Sequence, residues 1–158
     1  MNTKKFCEKA TKLYLNHFPK SAVKAYWSGN LYANVSIHCK LAASKNEVAH
    51  GIWENDILNV SFCVDLDGKR ELPKGSRETL PDKVCLTAWH RSYLTKPENP
   101  YHVYGSKKLP FRKITGTPEK ILTALDKVFS GLKESLLNDL ASDNIHKNHL
   151  DLVKEKLS

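Results

Sequence analysis

Two runs of alternating apolar and polar residues constrain the fold of this chain more than any other feature. The first run covers residues 31–41, and the second covers residues 58–66. Their apolar positions are Leu31, Ala33, Val35, Ile37, Cys39 and Leu41 in the first, and Leu58, Val60, Phe62, Val64 and Leu66 in the second. Because successive side chains of a strand point to opposite faces, each run predicts a β-strand with one buried face. That face must be covered by another layer.

Two further strands are predicted on either side of these runs. Residues 22–27 form a short strand, and the turn residues 28–30 join it to the first run as a hairpin. Residues 84–93 alternate again, with Val84, Leu86 and Ala88 on one face and Cys85, Thr87, Trp89, Arg91 and Tyr93 on the other. Residues 48–53 predict a short edge piece. Residues 69–82 carry seven charged residues with Pro73, Gly75 and Pro81, so we expect a long exposed loop.

Three helices complete the predicted order. The first begins at Thr3, has apolar residues at helical spacing and is stopped by Pro19. The second follows Thr117-Pro118-Glu119, which supplies an N-cap, a proline at the first helical position and an acid in the first turn. Its leucine-rich stripe follows the 3.6-residue helical period over about 22 residues. A weaker last helix is expected after a cap at Ser142 or Asp143, running to Leu157.

Together these elements predict a single α+β domain over residues 1–158. The order is an N-terminal helix, an antiparallel meander of four or more strands, a long leucine-rich helix packed on one face, and a short C-terminal helix. A chain of 158 residues has no room for a second full domain. The order of elements is similar to that of RWD and ubiquitin-conjugating folds, but no His-Pro-Asn tripeptide accompanies a cysteine. A resemblance of topology does not transfer function.

The sequence predicts an intracellular, cytoplasmic protein. Residues 1–14 hold four lysines and are not followed by an apolar run, so the secretory pattern is missing. No uncharged apolar stretch approaches the ~18 residues that a transmembrane helix needs. The four cysteines never form a C-x-x-C pair, and we expect them to be free thiols, two or three of them packed.

Positive charge is concentrated in two segments of the chain. The formal net charge is +8. Residues 1–25 hold six lysines against Glu8, and residues 106–118 hold four cations with no acid. Such clusters favour binding to a polyanion, because several cations must meet phosphates together to release counterions.

The candidate binding site is the segment 101–113, in which aromatic residues are interleaved with cations. Lys107, Lys108, Arg112 and Lys113 would contact phosphates, and Tyr101 and Tyr104 would stack on unpaired bases. In the alternative, the aromatic side chains pack inward and the cations form a solvated edge of the sheet.

A second candidate surface is the polar face of the sheet. Residues 32–40 would place Tyr32, Asn34, Ser36, His38 and Lys40 on it, and Trp89 and Arg91 are its most suggestive pair. An open face of this kind fits single-stranded nucleic acid or a protein partner. In the alternative, the last helix or Trp53 covers the face and its aromatic residues form a second small core.

No catalytic, metal or cofactor motif emerges from the sequence. Cys63 with Asp65, or Cys85 with a histidine, lacks the turn or helix N-terminus that would lower a thiol pKa. His146 and His149 have no third ligand assigned by the sequence, so we expect no metal and no cofactor. An enzyme is therefore the least favoured class.

Two functional hypotheses remain from the sequence. The first is a small non-enzymatic protein that binds nucleic acid, or a complex containing it, through the basic-aromatic segment. The second is an adaptor or inhibitor that docks on an acidic protein partner through the exposed sheet face. Membrane-surface binding is not favoured, because the apolar side of the first helix is needed for the core.

Overall fold

The fold is known from a computed structural model. It describes residues 1–29, 32–42, 47–49, 52–53, 58–66, 71–93, 113–145 and 147–158, with backbone only at 47–49, 52–53, 89–93 and 148. The helices are α1 (Thr3–His17), α2 (Pro118–Ala141) and α3 (Leu150–Leu157). The strands are β1 (Ala22–Ser28), β2 (Asn34–Lys40), β3 (Glu47–Ala49), β4 (Ile52–Trp53), β5 (Leu58–Asp65), β6 (Val84–Tyr93) and β7 (Lys113–Gly116). The predicted α+β class is confirmed.

The main sheet is an antiparallel meander. Its five strands lie in the order β1-β2-β5-β6-β7, and every neighbouring pair is antiparallel. The short strands β3 and β4, which lie between β2 and β5 in the sequence, pair with each other in a separate two-stranded sheet. Within the described residues, β1 and β7 are therefore the two outer strands of the main sheet.

One face of this sheet packs against α1 and α2. α1 contacts β1 and α2, while α2 also contacts β6 and β7, so the two helices lie side by side over the strands. At the centre of the core, the Phe129 ring lies edge-on to Tyr14 and Phe62, at centroid distances of 5.3 and 5.9 Å. All three side chains are fully buried. The Tyr14 hydroxyl donates to the carbonyl oxygen of Lys40 at 2.8 Å, which joins α1 to the end of β2.

The helix ends follow the sequence signals for α1 and α2. Asn2 and Thr117 cap the two N-termini, since their side-chain oxygens accept from the backbone N–H groups of Lys5 and Lys120. The predicted start of the last helix was wrong. Ser142 ends α2, Asp143 adopts a positive φ of 54° typical of a helix terminus, and α3 begins only at Leu150.

The described part of the predicted loop, residues 71–82, is mostly exposed, but three of its residues are buried and anchor it to the rest of the fold. Leu72, Ser76 and Leu80 are buried, at 4%, 3% and 2% exposure. The Thr3 hydroxyl donates to the carbonyl oxygen of Ser76 at 2.5 Å, and the backbone N–H of Leu80 donates to the carbonyl oxygen of Met1 at 2.9 Å. The charged residues are exposed, Ser76 and Leu80 anchor the start of α1, and the backbone N–H of Leu72 donates to the carbonyl oxygen of Ala33. The composition of this segment therefore did not indicate its anchoring positions.

Candidate nucleic-acid interface

Most of the predicted basic-aromatic site lies outside the described residues. This applies to Tyr101, Tyr104, Lys107, Lys108 and Arg112. The structure does describe Lys113, which is exposed at the first position of β7. For Trp89 and Arg91 it describes the backbone within β6.

The face of the sheet opposite the helices is built from transverse rows of polar residues. One row crosses all five strands, because each residue in it is the register partner of the next: Tyr26, Ser36, Cys63, Thr87 and Lys113. A second row contains Lys24, His38 and Ser61. Four inter-strand spacings separate the ends of the first row by about 19 Å. We call this surface the polar face.

The centre of the polar face is buried. Ser36, Cys63 and Asp65 are exposed by 7%, 4% and 0%, and Cys85 by 0%. Lys113 and Lys24, at opposite ends of the rows, are exposed, whereas Tyr26 and His38 are partly buried. The described part of the face is therefore not the open platform that docking through an exposed sheet face requires. Its accessible residues lie at its edges.

A register shift in β6 changes the expected alignment of Trp89 and Arg91. Thr87 is in register with Cys63 and Ala88 with Phe62, but the next residue of β5, Ser61, is in register with His90. Trp89 is the extra residue of this β-bulge. Arg91 is consequently in register with Val60, a core position. The unbroken alternation predicted from Cys85 to Tyr93 is thus interrupted, because a bulge shifts the register of all later residues.

At the β1 edge of the polar face, three side chains from β1 and β2 contact one another. The rings of Tyr26 and His38 are stacked, with centroids 5.7 Å apart and an interplanar angle of 27°. The Tyr26 hydroxyl lies 3.2 Å from Nε2 of His38. The ammonium group of Lys24 lies 4.9 Å from the centre of the Tyr26 ring, within cation–π range. We call Lys24, Tyr26 and His38 the edge cluster.

Ser61 on β5 contacts the His38 side chain of the edge cluster. Its hydroxyl oxygen lies 2.6 Å from Nδ1 of His38, and the residue is 2% exposed. A neutral imidazole has one donor and one acceptor nitrogen, and hydroxyl groups can serve either. Both ring nitrogens are thus engaged, and the ring orientation is fixed.

Sequence reasoning missed the edge cluster. Lys24 and Tyr26 alternate with the apolar residues Val23, Ala25 and Trp27, but this alternation is confined to residues 23–27. The alternation predicts His38 on the polar face, but its cross-strand partners depend on the register. Periodicity does not specify register.

The lysines of α1 lie on a different side of the molecule. Lys5, Lys9 and Lys12 are exposed on the helix layer, opposite the polar face. Lys9 and Lys12 line a groove of about 460 Å³ between α1 and α2, whose other wall carries Glu119 and Asp126. Asp126 also lies 2.7 Å from Nε2 of His17. These carboxylates oppose phosphate binding, so the groove is a weaker polyanion site than the acid-free segment ending at Lys113.

The cysteines do not provide reactive thiolates on the helix side of the sheet. None of the four, all of which lie within the described residues, forms a disulfide, and all are buried. Burial raises the pKa of Cys7 to about 11 and raises that of Cys39 further, because desolvation disfavours the thiolate. On the polar face, the Cys63 thiol donates to a carboxylate oxygen of Asp65 at 3.6 Å.

The described residues contain neither a cluster of metal ligands nor a membrane-spanning helix. No group of three or more histidine, cysteine or acidic side chains there is arranged to hold a metal ion. Among the described helices, none combines the length and apolar character needed to cross a bilayer.

Comparisons with known proteins provide no assignment. No family model, no curated protein and no solved structure matches the chain. The function must therefore be argued from its own residues.

Proposed function

We propose that this protein binds nucleic acid, or a complex that contains it, through the basic-aromatic segment 101–113. The observation that carries the proposal is the position of Lys113. This residue ends a stretch with four cations and no acid, and it is exposed at the β7 edge of the polar face. Cations gathered in this way bind phosphates with the release of counterions.

In this proposal Lys107, Lys108, Arg112 and Lys113 contact phosphates. Tyr101 and Tyr104 stack on unpaired bases, and Trp89 in β6 contributes from the neighbouring strand, whereas Arg91 is in register with the core residue Val60. No catalytic step and no cofactor are part of the proposal.

The buried centre of the polar face supports this choice over docking of an acidic protein partner on the sheet. Large protein interfaces need a desolvated central patch surrounded by a polar rim. Here Cys63 and Asp65 are covered, while the cations lie at the periphery. Electrostatic contact with an extended polyanion needs no central apolar patch.

The test is fluorescence-polarisation binding to single-stranded and double-stranded oligonucleotides over a salt series. The test variant replaces Lys107, Lys108, Arg112 and Lys113 with alanine. Its matched control replaces four exposed cations elsewhere with alanine, and so removes the same charge: Lys74, Lys127, Lys147 and Lys154.

We expect the test variant to stay folded and lose most of its affinity. Each lost phosphate contact lowers the slope of log K against log salt by about 0.7 for a single strand. The control variant should keep the wild-type slope within about 0.7. Equal losses in the two variants would show that net charge alone, and not this segment, drives binding.

A further inference from the structure

The edge cluster has the features of a stacking platform. Tyr26 is partly buried and lies on the outer strand β1, so solvent reaches part of its side chain. Stacking on His38 and the hydroxyl contact at 3.2 Å restrict the rotamers of both rings. A side chain that is ordered before binding loses less entropy when a ligand arrives.

Cations accompany this ring pair. Lys24 is exposed, and its ammonium group lies over the Tyr26 ring at 4.9 Å. Lys40 follows His38 by two residues in β2 and is therefore on the same face, in register with Ala22. The described acid of this face, Asp65, is fully buried and lies on β5, two strands away from β1.

An aromatic ring pair flanked by cations matches the chemistry of one unpaired nucleotide. The base offers an apolar π-face for stacking, and its phosphate offers a negative charge to an ammonium group. A duplex keeps its base faces inside the stack, so a ring on the protein surface does not reach them. The cluster therefore fits single strands.

We propose that Lys24, Tyr26 and His38 form a subsite for one unpaired base and its phosphate, and that this subsite gives the protein its preference for single-stranded nucleic acid. The proposal rests on the proposed function, because both need a nucleic-acid ligand. It adds the substrate class and a second contact point. Tyr26 and Lys113 end the same transverse row at opposite edges, about 19 Å apart.

The experiment compares three fluorescent oligonucleotides of equal length: a single strand, its duplex, and a single strand in which every base is absent. Tyr26→Ala should weaken binding of the ordinary single strand by about 5- to 150-fold, which corresponds to loss of one stacked base. Its salt slope should stay unchanged. Binding of the duplex and of the base-free strand should change by less than about twofold, since neither offers a base to stack.

Two further variants separate the roles of ring and charge. Lys24→Ala should lower the salt slope by about 0.7 for all single strands. Tyr26→Phe keeps the ring and should retain most of the affinity. If Tyr26→Ala fails to fold, the crosslinking experiment below is the test. The matched control is Leu137→Ala, because Leu137 is 41% exposed and lies on α2, on the other side of the sheet from the polar face. Ultraviolet crosslinking of the wild-type and Tyr26→Phe proteins, with identification of the crosslinked peptide, should locate residues 22–28.

The outcomes distinguish this inference from the proposed function. Unchanged affinity of a folded Tyr26→Ala variant for the ordinary single strand would overturn the subsite alone, as would crosslinks confined to other peptides. Equal wild-type affinity for single strand and duplex would also overturn it. If the wild-type protein binds none of the three probes at low salt, both the proposed function and the subsite are refuted.

Discussion

The hydroxyl oxygen of Ser61 lies 2.6 Å from Nδ1 of His38, and this contact ties the edge cluster to a central strand of the sheet. Ser61 is 2% exposed, whereas His38 is only partly buried. A rigid strand thus supports a side chain that reaches the surface. The first prediction concerns this support.

Ser61→Ala removes one hydrogen bond and keeps the side-chain size nearly constant. We expect the free energy of unfolding to fall by about 0.5–1.5 kcal/mol, which is the net value of such a bond. Urea denaturation provides the measurement, and Ser130→Ala in the exposed surface of α2 is the control. A loss no larger than that of the control would mean that Ser61 does not hold His38. Single-strand affinity should fall less than in Tyr26→Ala, because the rings remain.

Phe129→Ala tests the centre of the core. The ring contacts both Tyr14 and Phe62 and is fully buried, so its removal leaves a cavity where helix and sheet meet. We expect a loss of about 3–5 kcal/mol in the free energy of unfolding. Leu137→Ala, in the same helix but 41% exposed, should cost far less. Similar midpoints for both variants in thermal unfolding would contradict this packing.

Alkaline pH should destabilise the fold, because it ionises buried cysteine and tyrosine side chains. The pKa of Cys7 rises from an ordinary 9.0 to about 11 on folding, and those of Cys39 and Tyr14 rise as well. Above pH 9 the unfolded chain releases protons that the folded protein retains. Stability is thus complete below pH 9 and falls as pH rises toward 11, by up to about 1.4 kcal/mol per pH unit and proton.

Urea titrations between pH 7 and 10.5 measure this effect. Cys7→Ala should flatten the alkaline decline in the free energy of unfolding. The packing lost in this variant should change that free energy by the same amount at every pH. A decline that is equally steep in Cys7→Ala and in the wild type would show that this thiol does not contribute.

Thr3→Val tests the anchoring of the segment 71–83. Valine has nearly the shape of threonine but cannot donate to the carbonyl oxygen of Ser76. We expect a loss of about 1–3 kcal/mol, because a buried acceptor loses its donor. Cleavage by trypsin after Arg77 or Lys74 should become faster. Thr123→Val, at an exposed position of α2, is the control, and equal cleavage rates in the two variants would contradict the anchor.

The sequence predicted the elements whose signals are periodic and local. The strands β2 and β5, the helix α1, and the cap and long stripe of α2 all follow from spacing or from capping residues. The antiparallel meander was also predicted from the order of the strands, although the connection from β1 to β2 is short and the later connections are long. These features need no knowledge of distant contacts.

The features that sequence did not predict depend on partners far along the chain. The residue types of β6 give no sign of the bulge at Trp89, yet this bulge shifts Arg91 into register with Val60. Ser76 is polar and lies among charged residues, but its carbonyl oxygen accepts from Thr3. The edge cluster requires the pairing of β1 with β2, which alternation does not specify. Of the predicted site residues, the structure describes the backbone of Trp89 and Arg91, and it describes the side chain of Lys113 as well, which is exposed.

The most direct test of the central claim is the salt dependence of single-strand binding by the wild type and by the quadruple alanine variant at Lys107, Lys108, Arg112 and Lys113. We predict tight wild-type binding with a steep negative slope, and a slope in the variant that is shallower by about 3. Wild-type binding that is absent at low salt, or a variant that retains the wild-type affinity and slope, would contradict the account.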